Sequence, residues 1–301
     1  MSTDDVLVEV RGLTRHFGAQ TAVDDVSFDL PAGRVVGFLG PNGAGKSTTM
    51  RMMVGLTTPS AGTAHILGRP FHDLDDPART VGSIVDGVDY HPGRRAIDEL
   101  RISAHAAGLP RSRCEEVIEL VGLADAAAKR VGQYSLGMRQ RLGIAQALLG
   151  DPRVLLLDEP ANGLDPEGIT WVRRLLRYLA DDGRVVFVSS HLLGEVSRLA
   201  DEVIVIRRGR IVTQSSVAEL TSAASGGVIV AAEQLSALAA ALRQAGAEVT
   251  PADGHLVVDG RDPAWVGRVA LEAGIALSEL RPMTAELEDV FMELTAGGGI
   301  A

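Results

Sequence analysis

The most specific chemical signal in the sequence is a glycine-rich octapeptide that ends in a lysine and a serine. It fits the pattern G-x-x-x-x-G-K-[ST] at every fixed position and reads Gly40-Pro41-Asn42-Gly43-Ala44-Gly45-Lys46-Ser47. Glycines let the N–H groups of such a loop converge on one anion, and the start of the following helix attracts phosphate. The pattern therefore predicts a phosphate-binding loop in which Lys46 contacts the β- and γ-phosphates of a nucleotide and the Ser47 hydroxyl ligates Mg²⁺.

Two acidic residues follow an apolar run much later in the chain. Residues 154–157, Val-Leu-Leu-Leu, predict a buried strand, and Asp158 and Glu159 come directly after it. Ligands of open α/β sheets bind at the carboxyl ends of the strands, so we expect these acids beside the phosphate loop. Asp158 is expected to hold Mg²⁺, directly or through water, and Glu159 to polarise an attacking water molecule. Without the phosphate loop, a solvated acidic pair at a strand end is the better interpretation.

A histidine follows a third predicted strand, because residues 184–190 are followed by His191. At the carboxyl edge of a sheet an imidazole is able to contact a γ-phosphate and to order a water molecule. A lone histidine is more often structural, so this assignment depends on the other motifs. The remaining histidines show no metal-ligand spacing.

Parallel strands and covering helices are needed to bring these residues together. Short, near-continuous runs of Val, Ile and Leu are typical of strands buried on both faces, and helix-like segments lie between them. The pattern predicts an α/β fold with a parallel central sheet in the first two-thirds of the chain. These strands are predicted at 35–39, 154–157, 185–189 and 203–206, and the helices at 46–54, 97–107, 114–121, 137–149, 167–180 and 192–199. A further, half-buried strand is predicted where Val26, Phe28 and Leu30 alternate with polar residues.

A run of small residues, Thr-Ser-Ala-Ala-Ser-Gly-Gly at 221–227, predicts a linker. It separates a first domain, residues 1–220, from a second domain, residues 228–301. Beyond the linker the pattern predicts the order β-α-β-β-α-β, which is typical of a small split-βαβ domain of the α+β class.

A final helix is predicted at 284–295. Leu287, Val290, Phe291 and Leu294 recur at i, i+3, i+4 and i+7, which places them on one apolar face that must be covered. We expect this helix to dock on a nucleotide-binding domain, its own or that of a partner. The alternative is that the second domain only adds stability.

The composition excludes several classes of protein. Of 301 residues, 46% are hydrophobic and 23% charged, which is typical of globular domains and excludes wholesale disorder. The net charge of −10 argues against a chain that coats nucleic acid or anionic lipid. The single cysteine, Cys114, cannot form an internal disulfide, so we expect a packing role in a reducing compartment. We expect no signal peptide and no transmembrane helix, so that any membrane role comes through a partner.

A further motif links these signals to one family. Residues 134–141 read Tyr-Ser-Leu-Gly-Met-Arg-Gln-Arg at the start of a predicted helix, and Gly163-Leu164-Asp165 follows the acidic pair. The order of these motifs resembles the ATP-binding subunits of ABC transporters, and the resemblance covers residues 6–215. The form of residues 134–141 departs from the general Leu-Ser-Gly-Gly-Gln pattern but is similar to the subgroup that exports drugs, antibiotics and lantibiotics. The segment 287–294 is also similar to that subgroup.

The resemblance implies an ATP site built largely by one subunit. Phe17 would stack on adenine, and the loop from Gly40 to Thr48 would bind the phosphates. Lys46 would neutralise charge in the transition state, and Glu159 with His191 would orient the attacking water.

Other residues would act across a dimer interface. The resemblance implies that Ser135, with the backbone at Gly137 and Met138, binds the γ-phosphate of ATP held by a second subunit. A hydroxyl and exposed N–H groups at a helix N-terminus form an anion site, which agrees with this role. Asp165 would lie in the loop that crosses the interface, and it is also a candidate N-cap before Pro166.

One position departs from the family pattern. Residues 81–86 align with the Q-loop, where the family has Gln, or Glu in the export subgroup, and this chain has Asp86. The resemblance implies that this side chain contacts Mg²⁺ or its water and couples the ATP site to the permease. Asp is one methylene shorter than Glu, which limits its reach. Asp89 is the next candidate for the role.

Taken as a whole, the resemblance implies a P-loop ABC-ATPase fold with a helical subdomain at about 87–150. It implies hydrolysis of Mg-ATP between two head-to-tail subunits, two copies of this chain or this chain and a homologue. Hydrolysis would power export of a drug, antibiotic or similar amphipathic substrate through a separate integral membrane permease. The location would be cytoplasmic and peripheral, on the inner face of the membrane, with no nucleic-acid partner.

Three other functions compete with this hypothesis. A GTPase needs an Asn-Lys-x-Asp motif, and the one lysine outside the loop, Lys129, follows Ala128. A non-hydrolytic binding module is disfavoured by the intact Glu159. A soluble regulatory ABC ATPase that acts on ribosomes, DNA or another non-transport partner remains the alternative, although such proteins usually carry two cassettes and basic surfaces.

Overall fold

The structure is a computed structural model that describes residues 6–87, 89–190, 193–223, 227–283 and 287–296. It divides into two compact units, Met1–Ser215 and Ser216–Ala301, which we call the N-terminal and the C-terminal unit. Across the described residues, no helix combines the length and the apolar character that a membrane span requires.

The helices and strands are numbered in chain order. The strands are β1 Val6–Phe17, β2 Gln20–Pro31, β3 Val35–Leu39, β4 Ala61–Ile66, β5 Val81–Ile84, β6 Val154–Asp158, β7 Val185–Ser190, β8 Glu202–Arg207, β9 Arg210–Ser216, β10 Gly227–Ala232, β11 Glu248–Ala252, β12 His255–Asp259 and β13 Leu277–Pro282. The helices are α1 Lys46–Met53, α2 Pro77–Thr80, α3 Ala96–Ala106, α4 Ser112–Leu120, α5 Leu136–Ala147, α6 Pro166–Asp181, α7 Leu193–Leu199, α8 Val217–Ala223, α9 Leu235–Gln244, α10 Pro263–Glu272 and α11 Leu287–Ala296.

The central sheet of the N-terminal unit has the strand order β5-β6-β7-β3-β8-β9. The pairs β5–β6, β6–β7, β7–β3 and β3–β8 are parallel, which confirms the predicted α/β fold. Every residue of β3, β6 and β7 is buried, as their continuous apolar sequences predict. Because the strands are parallel, β3, β5, β6 and β7 end at the same edge of the sheet.

A second, antiparallel sheet with the order β2-β1-β4 accompanies the central sheet. In β2 the residues Val26, Phe28 and Leu30 are buried and alternate with more accessible positions, as the half-buried strand predicted there requires. The antiparallel sheet that this strand joins was not predicted. Phe28 of β2 joins the two sheets, since its ring centroid lies 6.0 Å from that of Phe38 and 5.5 Å from that of Phe187. Helix α1 contacts strands of both sheets and buries Met50 and Met53, so the helix that follows the phosphate loop is held on both sides.

Helices α3, α4 and α5 pack on one another within the range expected for a helical subdomain. Their contact buries Leu100, Cys114, Val117 and Leu142. Cys114 is completely buried, so it has the packing role that the sequence predicts. Burial raises the pKa of its thiol.

The C-terminal unit contains the predicted order β-α-β-β-α-β, from β10 to β13. Its sheet has the order β11-β12-β10-β13, and all three pairings are antiparallel. Helices α9 and α10 contact each other and cover one core, in which Val230, Leu238, Val258 and Val266 are buried.

The run of small residues at 221–227 is not a continuous linker. Residues 221–223 form the end of α8, and Gly227 begins β10. A reciprocal capping box starts this helix: the Glu219 N–H donates to the Ser216 hydroxyl at 3.1 Å, and the Ser216 N–H donates to the Glu219 carboxylate at 3.0 Å. The capping box thus starts a helix that extends into the small residues.

Helix α11 lies where a final amphipathic helix is predicted, although residues 284–286 are outside the described residues. It contacts α8, and Leu287 and Val290 are buried, with 2% and 1% of their surface exposed. Part of the predicted apolar face is therefore covered within the C-terminal unit. Docking of this helix on a nucleotide-binding domain stays a prediction.

Candidate functional site

The phosphate loop connects β3 to α1, as the sequence predicts, and two of its glycines have no possible substitute. A Cβ on Gly40 would lie 2.4 Å from the Ile206 carbonyl oxygen. Gly45 has a φ of +111°, and its Cβ would lie 2.6 Å from the Ala22 carbonyl oxygen. Any side chain at either position would collide with backbone, so close packing requires glycine at both ends of the loop.

Lys46 is the first residue of α1, and only 6% of it is exposed. Its ammonium group donates to the Gly40 carbonyl at 2.6 Å. Burial lowers the pKa of Lys46, and the charges of Glu159 and Asp158 oppose that effect. A desolvated cation that faces the loop and two carboxylates is suited to bind a polyphosphate.

Asp158 and Glu159 lie at the carboxyl edge of the central sheet, where β7 supports both. Asp158 is 8% exposed and accepts a hydrogen bond from the Ser189 hydroxyl. The Glu159 backbone N–H is shared between the Ser189 carbonyl at 3.2 Å and the Ser189 hydroxyl at 3.1 Å. Glu159 has a φ of +52°, so the tertiary contacts hold an unfavourable backbone conformation at the strand end.

Two supporting residues were not predicted. Ser189 stands directly opposite Asp158 in the β6–β7 register. Its position two residues before His191 is the one signal for it in the sequence. The side-chain amide of Gln140, five residues after Ser135, donates to the Glu159 carbonyl oxygen at 3.4 Å. No pattern in the sequence connects Gln140 to the acidic pair.

Two cavities meet at these residues. The first, of about 380 Å³, contains the phosphate loop and both acids; its lining residues are Phe17, Gln20, Ala22, Asn42, Gly43, Ala44, Gly45, Lys46, Ser47, Thr48, Asp158 and Glu159. The second, of about 540 Å³, is lined by Ser47, Asp86, Gly87, Leu136, Arg139, Gln140, Asp158, Glu159 and Asn162. Ser47, Asp158 and Glu159 belong to both cavities, so the candidate metal ligands lie where the two join.

Phe17 ends β1 at the opening of the first cavity. It is 46% exposed, and the Arg15 guanidinium lies 4.5 Å from the centre of its ring. An exposed aromatic face at this position is available to stack on a planar base. The contact with Arg15 was not predicted from the sequence.

Asp86 follows β5 and lines the second cavity, but its carboxylate contacts a basic residue. The Arg51 Nε atom lies 2.5 Å from its Oδ2 atom. Hydrogen bonding to Asp86 is the main cause that raises the pKa of Arg51. Asp89 is exposed.

The residues that are expected to act across an interface lie at the N-termini of α5 and α6. Ser135 caps α5 by accepting from the Met138 N–H at 3.2 Å, and Asp165 caps α6 by accepting from the Gly168 N–H at 2.9 Å. Gly137 faces Leu164, since a Cβ there would lie 3.2 Å from that side chain. Ser135 and Asp165 are exposed, and His191 lies outside the described residues.

The donor set fits a Mg²⁺-bound nucleotide. The Ser47 hydroxyl and the Asp158 carboxylate are oxygen ligands, the type that Mg²⁺ prefers. Where the structure describes the chain, no cluster of three His, Cys, Asp or Glu residues forms a metal site.

The parallel sheet, the phosphate loop and the adjacent acidic strand end together define a P-loop nucleoside triphosphatase. Residues 23–162 match the family model described as ABC transporter, and residues 226–288 match a family described as a domain of unknown function.

Two similar proteins match nearly the whole chain, and a third matches about two thirds of it. An uncharacterized ABC transporter ATP-binding protein, YhcH, from Bacillus subtilis (strain 168) is 37% identical and covers 96% of each chain. The bacitracin transport ATP-binding protein BcrA of Bacillus licheniformis is 35% identical over 98% of this chain and 99% of its own. The lantibiotic transport ATP-binding protein SrtF of Streptococcus pyogenes is 36% identical over 69% of this chain and 90% of its own.

A solved ATP-binding subunit of an ABC transporter has a TM-score of 0.65 and 27% identity, over 71% of this chain and 91% of its own. The chain therefore belongs to the ABC transporter ATP-binding proteins. It binds and hydrolyses ATP as the ATPase subunit of a transporter. The resemblance stated from the sequence motifs is confirmed.

Proposed function

We propose that this chain hydrolyses Mg-ATP at an interface between two ATPase subunits and thereby powers export of an antibiotic-like amphipathic compound. The observation that carries the chemical part is the convergence of Lys46, Ser47, Asp158 and Glu159 on one joined pair of cavities. The relatives named for bacitracin and lantibiotic transport support the proposed class of substrate.

Each residue of the site has a separate task in this proposal. The loop from Gly40 to Thr48 binds the phosphates through its backbone N–H groups, and Lys46 exchanges its loop carbonyl for phosphate oxygens. Ser47 and Asp158 hold Mg²⁺, which when bound supplies positive charge to the phosphate oxygens. Phe17 stacks on adenine.

Glu159 accepts a hydrogen bond from the attacking water and orients it toward the γ-phosphorus. The Ser189 hydroxyl and backbone fix the position of the Glu159 main chain. His191 is proposed to contact the γ-phosphate and to share the orientation of the water. Phosphoryl transfer depends mainly on positioning and charge stabilisation, so these residues need little covalent chemistry.

Ser135, Gly137, Met138 and Asp165 are proposed to act in the neighbouring subunit's site. The exposed start of α5 offers a hydroxyl and N–H groups to an anion, and a γ-phosphate in a second subunit is the ligand expected there. The partner is a second copy of this chain or a homologous ATPase subunit. ATP then holds two subunits head to tail, and hydrolysis releases them.

The chain is proposed to bind a separate integral membrane permease and to transfer the energy of this cycle to it. Binding to the permease places the chain on the cytoplasmic face of the membrane. In this proposal residues 1–220 form the ATPase domain, with a helical subdomain at about 87–150. Residues 228–301 form a regulatory or dimer-supporting domain. Asp86 is the proposed contact between the metal site and the permease.

Purification of the tagged chain from gentle detergent extracts tests the transport partner. The proposal expects a polytopic membrane protein that co-purifies and stimulates Mg²⁺-dependent ATP hydrolysis. A chain that retains its ATPase activity but is recovered with ribosomes or DNA and no membrane protein would support the regulatory alternative.

A further inference from the structure

The ion pair between Arg51 and Asp86 connects the phosphate-loop helix to the segment after β5. The distance of 2.5 Å joins Arg51 Nε to Asp86 Oδ2, and the two side chains are 40% and 39% exposed. A pair with this exposure contributes little to folding stability, because solvent screens both charges. Its location, more than its strength, indicates what it does.

Arg51 lies on the same face of α1 as the proposed metal ligand Ser47. The two residues are four positions apart, and residues at i and i+4 of a helix are neighbours. The charge of Asp158 is a further cause that raises the pKa of Arg51, so the guanidinium also lies within electrostatic range of the second proposed ligand. Arg51 is therefore a fixed cation beside the metal site.

Asp86 approaches the same site from the sheet. In the β5–β6 register Ile84 stands opposite Leu157, so the chain leaves β5 beside the strand that ends in Asp158. Asp86 lines the cavity that also contains Ser47, Asp158 and Glu159. Its φ of +68° is in the left-handed region, where a non-glycine residue persists when its surroundings fix it. The Arg51 contact is one such restraint.

We propose that Arg51 is a positioning residue that competes with the bound Mg²⁺ for the Asp86 carboxylate. In the structure the carboxylate is held at the side of α1. When a Mg-nucleotide occupies the site, the short Asp86 side chain is shared between two cations, directly or through a metal-bound water. Arg51 thus weakens metal binding and makes the segment after β5 respond to the metal. The inference rests on the proposed metal site at Ser47 and Asp158.

Binding of Mn²⁺ to the protein–ATP complex, measured by electron paramagnetic resonance of the free ion, tests this without any turnover. Arg51→Gln is expected to tighten Mn²⁺ binding by about 1.5- to fivefold, the range of an exposed ion pair. Arg51→Lys keeps the charge and is expected to stay close to wild type. Arg69→Gln is the matched control, because it removes another exposed arginine–aspartate pair, with Asp75, and is expected to change nothing.

Asp86→Asn separates competition from simple charge repulsion. In the Asp86→Asn background Arg51→Gln is expected to have no further effect, because the shared carboxylate is gone. Equal tightening by Arg51→Gln in both backgrounds would mean that Arg51 only repels the metal, and it would overturn the inference. Unchanged or weaker Mn²⁺ binding in Arg51→Gln alone would also overturn it.

A further variant, Asp158→Asn, tests the proposed metal site separately from the role of Arg51. Asp158→Asn is expected to abolish Mn²⁺ binding if the proposed metal site is right. Loss of binding in Asp158→Asn together with no response to Arg51→Gln would leave the metal site standing and reject the role of Arg51. Retained binding in Asp158→Asn would reject the metal site itself, and with it the inference.

Discussion

The two units use a β-sheet in opposite ways. In the N-terminal unit four parallel strands end at one edge, where the phosphate loop, Asp86, Asp158 and Ser189 meet. In the C-terminal unit the paired strands are antiparallel, so successive strands end at opposite edges. Convergence of chemically active residues thus follows from the strand direction, and not from the presence of an α/β layer alone.

The two units also differ in whether they bury charged side chains. The N-terminal unit buries Lys46 and Asp158 at its strand edge. The described part of the C-terminal unit has no buried charged residue, and its Arg281–Glu279 pair is exposed. Burying a charge is costly, so it persists where a ligand or a function compensates for it. ATP binding and hydrolysis are therefore expected to depend on the first unit and not on the second.

The largest effect is expected from Glu159→Gln, which preserves size but removes the charge that orients water. Turnover should fall about 10²- to 10⁴-fold while ATP binding remains. Phosphate release measures the first quantity, and size exclusion with ATP in the absence of Mg²⁺ should show a trapped dimer. Glu167→Gln, at an exposed position in α6, is the control. A variant that binds ATP yet remains monomeric would contradict the proposed interface.

Leu238→Ala should affect only the C-terminal unit. Leu238 is completely buried, so its truncation is expected to lower the free energy of unfolding of that unit by about 2–5 kcal/mol. The two tryptophans, Trp171 in α6 and Trp265 in α10, allow each unit to be followed separately. Urea unfolding in a Trp171→Phe background reports the C-terminal unit alone.

The control for Leu238→Ala is Leu271→Ala, because Leu271 is 79% exposed in the same unit. ATP affinity is expected to be unchanged in both variants. A large loss of ATP affinity in Leu238→Ala would show that the nucleotide site depends on the second unit.

Lys46→Ala should weaken nucleotide binding itself. Loss of a charge-assisted contact is expected to cost about 1.5–3 kcal/mol of ATP binding free energy, measured by titration calorimetry. The chain contains one other lysine, and Lys129→Ala is the matched control at an exposed position. Equal ATP affinities for the two variants would reject the assigned role of the phosphate loop.

A smaller effect is expected from Ser189→Ala, which tests the support given by β7. The variant loses the hydrogen bonds to Asp158 and to the Glu159 N–H, and metal affinity or turnover should fall by the equivalent of about 0.5–1.5 kcal/mol. Ser278→Ala, on the exposed β13, should change neither quantity. Wild-type Mn²⁺ affinity and turnover in Ser189→Ala would show that register alone positions the acids.

Removal of residues 216–301 should have the smallest effect on ATP binding, because every nucleotide motif precedes this segment. ATP affinity is expected to stay within about twofold of wild type, whereas dimer formation or transport should weaken. Calorimetry and sedimentation measure the two properties. Normal dimerisation and normal export by the shortened chain would reduce the second unit to a stabilising role.

The contiguous features of the protein could be predicted from the sequence. The phosphate loop is a local pattern, the buried strands are continuous apolar runs, and α6 starts where Asp165 and Pro166 indicate. The β-α-β-β-α-β order also followed from local periodicity. The helix at 217–223 was missed although Ser216 and Glu219 form a capping-box pattern, because the small residues that follow are typical of linkers.

Only the tertiary structure decided how distant residues pair. The sequence placed Asp158 and Glu159 at a strand end, but the register between β6 and β7 sets Ser189 against them. It aligned Asp86 with a metal-contacting position, but in the structure Arg51 of α1 pairs with that carboxylate. Periodicity fixes which face a residue occupies, whereas the partner across two elements depends on register and packing, which no local pattern contains.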